Sequence, residues 1–291
     1  MTNLIPLPDG RVLAVDDRGP SSAPAVVFLH AAPGSRVLDP DPDATAQAGV
    51  RLLTIDRPGY GQSSPPPDGT VPTLAGIADD VAHSLKSLGI GPASVVGWSA
   101  GGRVALTLAA RHPSLVASVG VVGTPAPDEA VPWVPEEFRQ MTPAVRADPV
   151  GALPMLAGAF AQYGVSPEAA IESVTGGPAD EAVLGDPARR AQIVAMLAEA
   201  FRPGPTGAAA DVIAVNVVPD EGQLRRMAAS VQAPVALFCG DADVVAGPEH
   251  GRWWEMVLSR ATLNVVPDAG HLVVLTAWAQ ILSAVTEDRS R

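Results

Sequence analysis

The sequence is short of nearly everything that would tie it to disulfides, metals or nucleic acid. Cys239 is its single cysteine, so no internal disulfide can form, and a reducing cytoplasm is the expected setting. No Cys/His cluster has zinc spacing, and the chain has no H-E-x-x-H, no Walker loop and no G-x-G-x-x-G after its first strand. No metal and no cofactor are therefore expected. Positive charge is scarce: 19 Lys and Arg stand against 31 Asp and Glu, a net charge of −12. That balance argues against nucleic acid or an anionic membrane as partner, and serves solubility instead. No apolar run reaches the roughly 18–20 residues of a membrane span. Met1 to Pro8 lacks the basic and long apolar regions of a signal peptide. No repeat or low-complexity segment is present, since the abundant Ala, Pro and Gly are scattered without period.

What is present reads as a globular α/β protein. A hydrophobic content of 47% with 17% charged residues excludes a disordered chain, and 291 residues suit one large core plus an insertion. Arg11 to Asp16, after the Asp9-Gly10 turn, predicts an early antiparallel strand. Val26–Leu29, Leu52–Ile55, Ala93–Val96 and Val116–Val122 are short apolar runs suited to buried parallel strands. Leu74, Ile77, Ala78, Val81, Leu85 and Leu88 recur at helical spacing, and Gly89 with Gly91-Pro92 stops that helix. From about Ala126 to Asp220 the alternation ceases. Proline joints separate short helical segments there, with one clear helix over Ala188–Phe201. The strand pattern resumes at Val235–Cys239, followed by a helix over His250–Leu258, a strand at Leu263–Val266 and a last helix over Leu272–Val285.

Gly97-Trp98-Ser99-Ala100-Gly101-Gly102 joins a buried strand directly to a helix. Gly-x-Ser-x-Gly alone is a weak match, but between strand and helix it describes a sharp turn that lifts a serine hydroxyl clear of the sheet edge. The helix that follows aims its free N–H groups at any oxyanion formed there.

This stretch resembles the nucleophile elbow of the α/β-hydrolase superfamily, and other segments agree in order. His30-Ala31-Ala32-Pro33-Gly34 is similar to that family's H-G-x-P-G oxyanion loop, with Ala31 where glycine is usual. Asp56-Arg57-Pro58-Gly59-Tyr60-Gly61-Gln62-Ser63 is similar to its D-x-P-G-x-G-x-S turn, and the Gly240–Asp243 and Gly270-His271 loops to its acid and histidine loops. The resemblance implies an α/β-hydrolase fold, a mostly parallel sheet flanked by helices, with core at residues 1–125 and 221–291. A helical cap inserted after the sixth strand would occupy 126–220.

A serine hydroxyl needs a base to take its proton, and histidine, with a pKa of about 6.5, suits that work. Of five histidines, His271 lies on a loop at the carboxyl edge of the sheet, where catalysis concentrates. His30 is expected to brace the oxyanion loop, and His83, His112 and His250 are expected to be surface or capping residues. The family's G-x-x-D spacing, counted from Gly240, favours Asp243 as the acid, with Asp241 and Asp128 as alternatives and Asp268 a turn residue. Ser99, Asp243 and His271 then form the catalytic set, with the N–H groups of Ala32 and Ala100 as the oxyanion hole. Trp133, Phe138, Met141, Met155, Phe160 and Tyr163 either line an apolar pocket or form plain cap core.

A serine at the elbow counts against the dehalogenase and epoxide hydrolase branches, which place an aspartate there. The expected activity is hydrolysis of a small-molecule ester through an acyl-enzyme. A proline-type aminopeptidase, a lactonase or a C–C bond hydrolase would use the same groups. So would an acyltransferase, a perhydrolase or a ligand receptor without turnover.

Overall fold

The computed structural model describes residues 2–287. Eight strands form one sheet: β1 (Thr2–Pro6), β2 (Val12–Arg18), β3 (Ala25–Leu29), β4 (Arg51–Ile55), β5 (Ala93–Trp98), β6 (Val116–Val122), β7 (Val235–Gly240) and β8 (Ala261–Val266). Their spatial order is β1-β2-β4-β3-β5-β6-β7-β8. β2 runs antiparallel to both β1 and β4, and every other pairing is parallel. The chain leaves β3 toward β4 on one side and then crosses to β5 on the other. A crevice is thus left at the carboxyl ends of β3 and β5, the topological switch point where α/β sheets bind ligands.

Alternation along each strand sorts the core into two layers. Val27, Leu29, Leu53, Ile55 and Val95 pack on one face. That face meets α2 (Leu74–Ser87), α3 (Ala100–Arg111), α10 (Glu221–Ala229) and α11 (Pro248–Val257). Val26, Phe28, Leu52, Val96 and Trp98 face the other layer. It is built from α12 (Val273–Thr276), α13 (Trp278–Thr286) and helices of the segment between β6 and β7. A short α1 (Pro42–Gln47) precedes β4.

The β6–β7 segment is helical, as its pattern predicts. It holds α4 (Glu136–Arg139), α5 (Thr142–Ala147), α6 (Pro149–Val165), α7 (Pro178–Leu184), α8 (Pro187–Ala200) and α9 (Thr206–Val212) before α10. Four of these helices, α5 to α8, carry proline in their first turn, where the missing N–H costs nothing. Ile193, Met196 and Leu197 of α8 join the second core layer, so the insert shares its packing with the sheet. Its two ends meet at one buried side chain. Arg103 of α3 donates to the carbonyls of Pro125 and Ala126 where the insert begins, and to those of Val215 and Asn216 beyond α9. Burial lowers the Arg103 pKa to about 10.

Several boundaries differ from expectation. β1 has no sequence signature, because an edge strand of five residues ending in proline shows no alternation. The last helix is broken at Ala277, which leaves helical geometry so that Trp278 can pack edge-on against Phe28 and donate to Thr45. No helix among the described residues is long and apolar enough to cross a membrane.

Candidate active site

Ser99 sits between β5 and α3 at φ 54°, ψ −122°, a conformation rarely adopted by a residue with a side chain. Its neighbours enforce the turn. Ser99 N–H donates to Val122 O at 2.8 Å, and Thr124 Oγ1 donates to Ser99 O at 2.8 Å. A Cβ on Gly101 would run into the Leu29 and His30 carbonyls, so this glycine lets α3 lie directly against the loop after β3. Motif and close approach have one cause.

Residues from three loops converge at this edge. His271 Nε2 is 3.1 Å from Ser99 Oγ, and His271 Nδ1 is 2.9 Å from Asp243 Oδ2. Since a carboxylate only accepts, Nδ1 carries the proton and Nε2 is left free to accept from the serine. Asp243 is anchored through its other oxygen, which accepts from Val245 N–H at 2.8 Å and Ala246 N–H at 2.9 Å. Burial alone would push the His271 pKa down, but the Asp243 charge, the hydrogen bond to it and the Asp180 charge hold it above the usual value. Burial likewise opposes ionisation of Asp243, and His271 with the two backbone donors outweighs it, so its pKa is lowered.

The structure separates the alternative acids. Asp241 is exposed, two residues away on the same loop. Asp128 caps the Trp133 and Val134 N–H groups and pairs with Arg139. Asp268 is a turn residue, as expected, and takes the left-handed conformation at φ 55°.

Beside Ser99 lies the loop after β3. Ala31, at the position where glycine is usual, is not among the residues with positive φ, so alanine fits there without strain. The Ala32 N–H is not taken up by any loop or turn hydrogen bond among the described residues. Ala100 opens α3, where N–H groups have no partner within the helix. His30 braces this loop as expected: Nδ1 lies 2.6 Å from Ala31 O and Nε2 accepts from Arg57 N–H at 3.4 Å. Burial, and then the Arg57 charge, keep its pKa well below the ordinary value.

His250 corrects an expectation. It is not a surface or capping residue but is buried, and its Nδ1 accepts from Ala126 N–H at 3.0 Å. Burial drops its pKa to about 4, so it is a neutral strut where the insert starts.

Two further groups escaped the sequence reading. Arg57, fully buried, donates to the His30 and Ala31 carbonyls and pairs with Asp211 of α9 at 2.6 Å. Tyr60 O–H donates to the same carboxylate at 3.1 Å. Arg57 lies within a motif, so its type was visible, but Asp211 lies in the insert with no pattern to mark it. The same holds for Asp180, which reaches the His271 loop from α7.

A cavity of about 1020 Å³ opens within the insert. Trp133, Phe138, Met141, Met155, Phe160 and Tyr163 all line it, and it reaches the acid loop at Val244 and Val245.

The family model described as alpha/beta hydrolase fold matches residues 24–277. A pimeloyl-[acyl-carrier protein] methyl ester esterase of Chromobacterium violaceum is 30% identical, over 80% of this chain and 81% of its own length. The protein of the same name from Neisseria meningitidis is 26% identical over 92% of this chain and 94% of its own. Among solved structures, a thermophilic esterase from Thermogutta terrifontis superposes with a TM-score of 0.71 at 23% identity, covering 100% of this chain and 97% of that one. An enol-lactonase from Burkholderia xenovorans gives 0.70 at 21% identity, covering 97% and 98%. With the family model matching residues 24–277 and esterases among its relatives, the chain is a hydrolase that belongs to the alpha/beta hydrolase fold family.

Proposed function

We propose that the protein is a serine esterase acting on a small, uncharged ester with an apolar acyl or alkoxy group. The observation that carries this reading is the relay Ser99–His271–Asp243, with contacts of 3.1 and 2.9 Å. Ser99 attacks the ester carbonyl while Nε2 of His271 takes its proton. Asp243 holds the imidazole in the useful tautomer and stabilises the imidazolium. The N–H groups of Ala32 and Ala100 receive the oxyanion. His271 then returns the proton to the departing alcohol, and a water activated by the same imidazole releases the acid.

The insert at 126–220 serves as a cap in this reading, and its cavity, which meets the core at Val244 and Val245 and is not lined by Ser99 or His271, would take the apolar part of the substrate; its volume is just above the usual 300–1,000 Å³ range of ligand sites. The ester class is supported by the methyl ester esterases among the relatives. A small substrate, not one carried on an anionic partner, is supported by charge. The insert's arginines at 139, 146, 189, 190 and 202 all sit in ion pairs with its own or adjoining carboxylates.

A fluorophosphonate probe, followed by peptide mass spectrometry, tests the assignment. The adduct is expected on Ser99 alone, and Asp243→Asn is expected to lower kcat on a p-nitrophenyl ester by about 10⁴-fold. Asp241→Asn should leave kcat near wild type, since that side chain is exposed. An adduct on another serine, or equal losses at the two aspartates, would overturn the reading.

A further inference from the structure

Asp180 is fully buried, yet it belongs to α7 of the insert and not to the sheet. Its carboxylate accepts from the backbone N–H of Leu272 at 2.7 Å, of His271 at 3.1 Å and of Gly176 at 2.7 Å. Burying a carboxylate is costly unless donors replace its water, and these N–H groups are the replacement. The loop before His271 is shaped to admit it, because a Cβ on Gly270 would collide with Asp180 Oδ1. Trp98 Nε1 donates to the His271 carbonyl at 3.0 Å. Both backbone polar groups of His271 are therefore held, one by the sheet and one by the insert.

We propose that Asp180 is a positioning residue for His271, with the insert using this carboxylate to fix the peptide that carries the imidazole. The proposal rests on the assignment of His271 as the base. A shift of about 1 Å in a reacting group is enough to cost on the order of 10²-fold in rate, and the His271 peptide has few other anchors. The same carboxylate adds negative charge close to His271 and so favours the imidazolium. The charged groups facing His271 are Asp243 from the β7 loop and Asp180 from α7; Ser99 and Trp98 contribute no charge.

The test uses Asp180→Asn and Asp180→Glu in the full-length protein, with Glu181→Gln, an exposed neighbour on the same helix, as control. An amide can present only one oxygen where two loop N–H groups now point at a carboxylate. Asp180→Asn is expected to lower kcat on a p-nitrophenyl ester by roughly 10–100-fold with KM within about 2-fold. Loss of the charge should also move the acid limb of the kcat/KM profile to lower pH. Asp180→Glu keeps the charge, so its acid limb should stay near wild type although kcat falls, and it carries the test if the asparagine variant does not fold. Wild-type kcat and an unmoved acid limb in a folded Asp180→Asn would overturn the proposal. So would an Asp180→Glu variant that folds with undiminished kcat. His271→Ala, measured alongside, keeps the two ideas apart. If it retains activity, the base has been misassigned. If it is dead while Asp180→Asn is unimpaired, only the positioning role fails.

Discussion

His271 is pulled in opposite directions by burial, which favours the neutral ring, and by Asp243 and Asp180, which favour the charged one; charge wins. As the proposed base, His271 must be neutral to accept a proton, so activity is expected to be lost as pH falls through a pKa held above the ordinary 6.5. The kcat/KM profile on an uncharged ester should therefore show a single-proton acid limb above pH 6.5, and a limb well below that value would contradict the electrostatics. His250 will not contribute to it, since burial has already dropped its pKa to about 4. Ser99, Asp243 and His271 were legible because each follows a strand and sits at a motif spacing. Asp180 and Asp211 were not, because a carboxylate that caps backbone N–H groups or pairs with a buried arginine leaves no periodicity behind. The burial of His250 is hidden for a related reason: an amphipathic helix start looks alike whether its first turn meets solvent or the beginning of an insert.

At the scale of elements, the insert meets the core through contacts that leave no room for side chains. Gly207, on α9, packs against Gly59, which has φ +84° in the turn after β4, and a Cβ on Gly207 would strike the Gly59 carbonyl. Backbone cannot yield as a side-chain tip can, so Gly207→Ala is expected to destabilise by about 1–3 kcal/mol. Urea denaturation would check this, and an unchanged midpoint would mean that α9 is free to move away. Central strands were easy to read, because residues buried on both faces give continuous apolar runs. The apolar pattern marks β8 only from Leu263, although the strand begins at Ala261. Its first residues, Ala261 and Thr262, do not continue the apolar run, and the strand lies at the edge of the sheet.

For the molecule as a whole, the groups proposed to react lie on sheet loops while the cavity is lined largely by the insert. Phe160→Ala should enlarge the cavity and shift preference toward longer acyl chains, within the roughly 10–200-fold per carbon that a pocket contact provides. Fluorophosphonate labelling of Ser99 should change far less. A p-nitrophenyl ester series of increasing length measures the first, and a chain-length profile unchanged by the substitution would place the acyl group elsewhere. The Arg103 contacts give this arrangement a further consequence. One guanidinium closes the neck of an excursion of about ninety residues, so the separation of its ends is set by α3 and not by what lies between them. Closing a long loop costs only slightly more than closing a short one. Length and sequence beyond the neck can therefore vary, as a cassette hung from a fixed ring, except where Asp180 and Asp211, the α8 side chains Ile193, Met196 and Leu197, and Gly207 meet the core. A new pocket can be grafted here without disturbing the elbow, provided the graft brings with it those two carboxylates, the apolar face of α8 and the glycine that lies on Gly59.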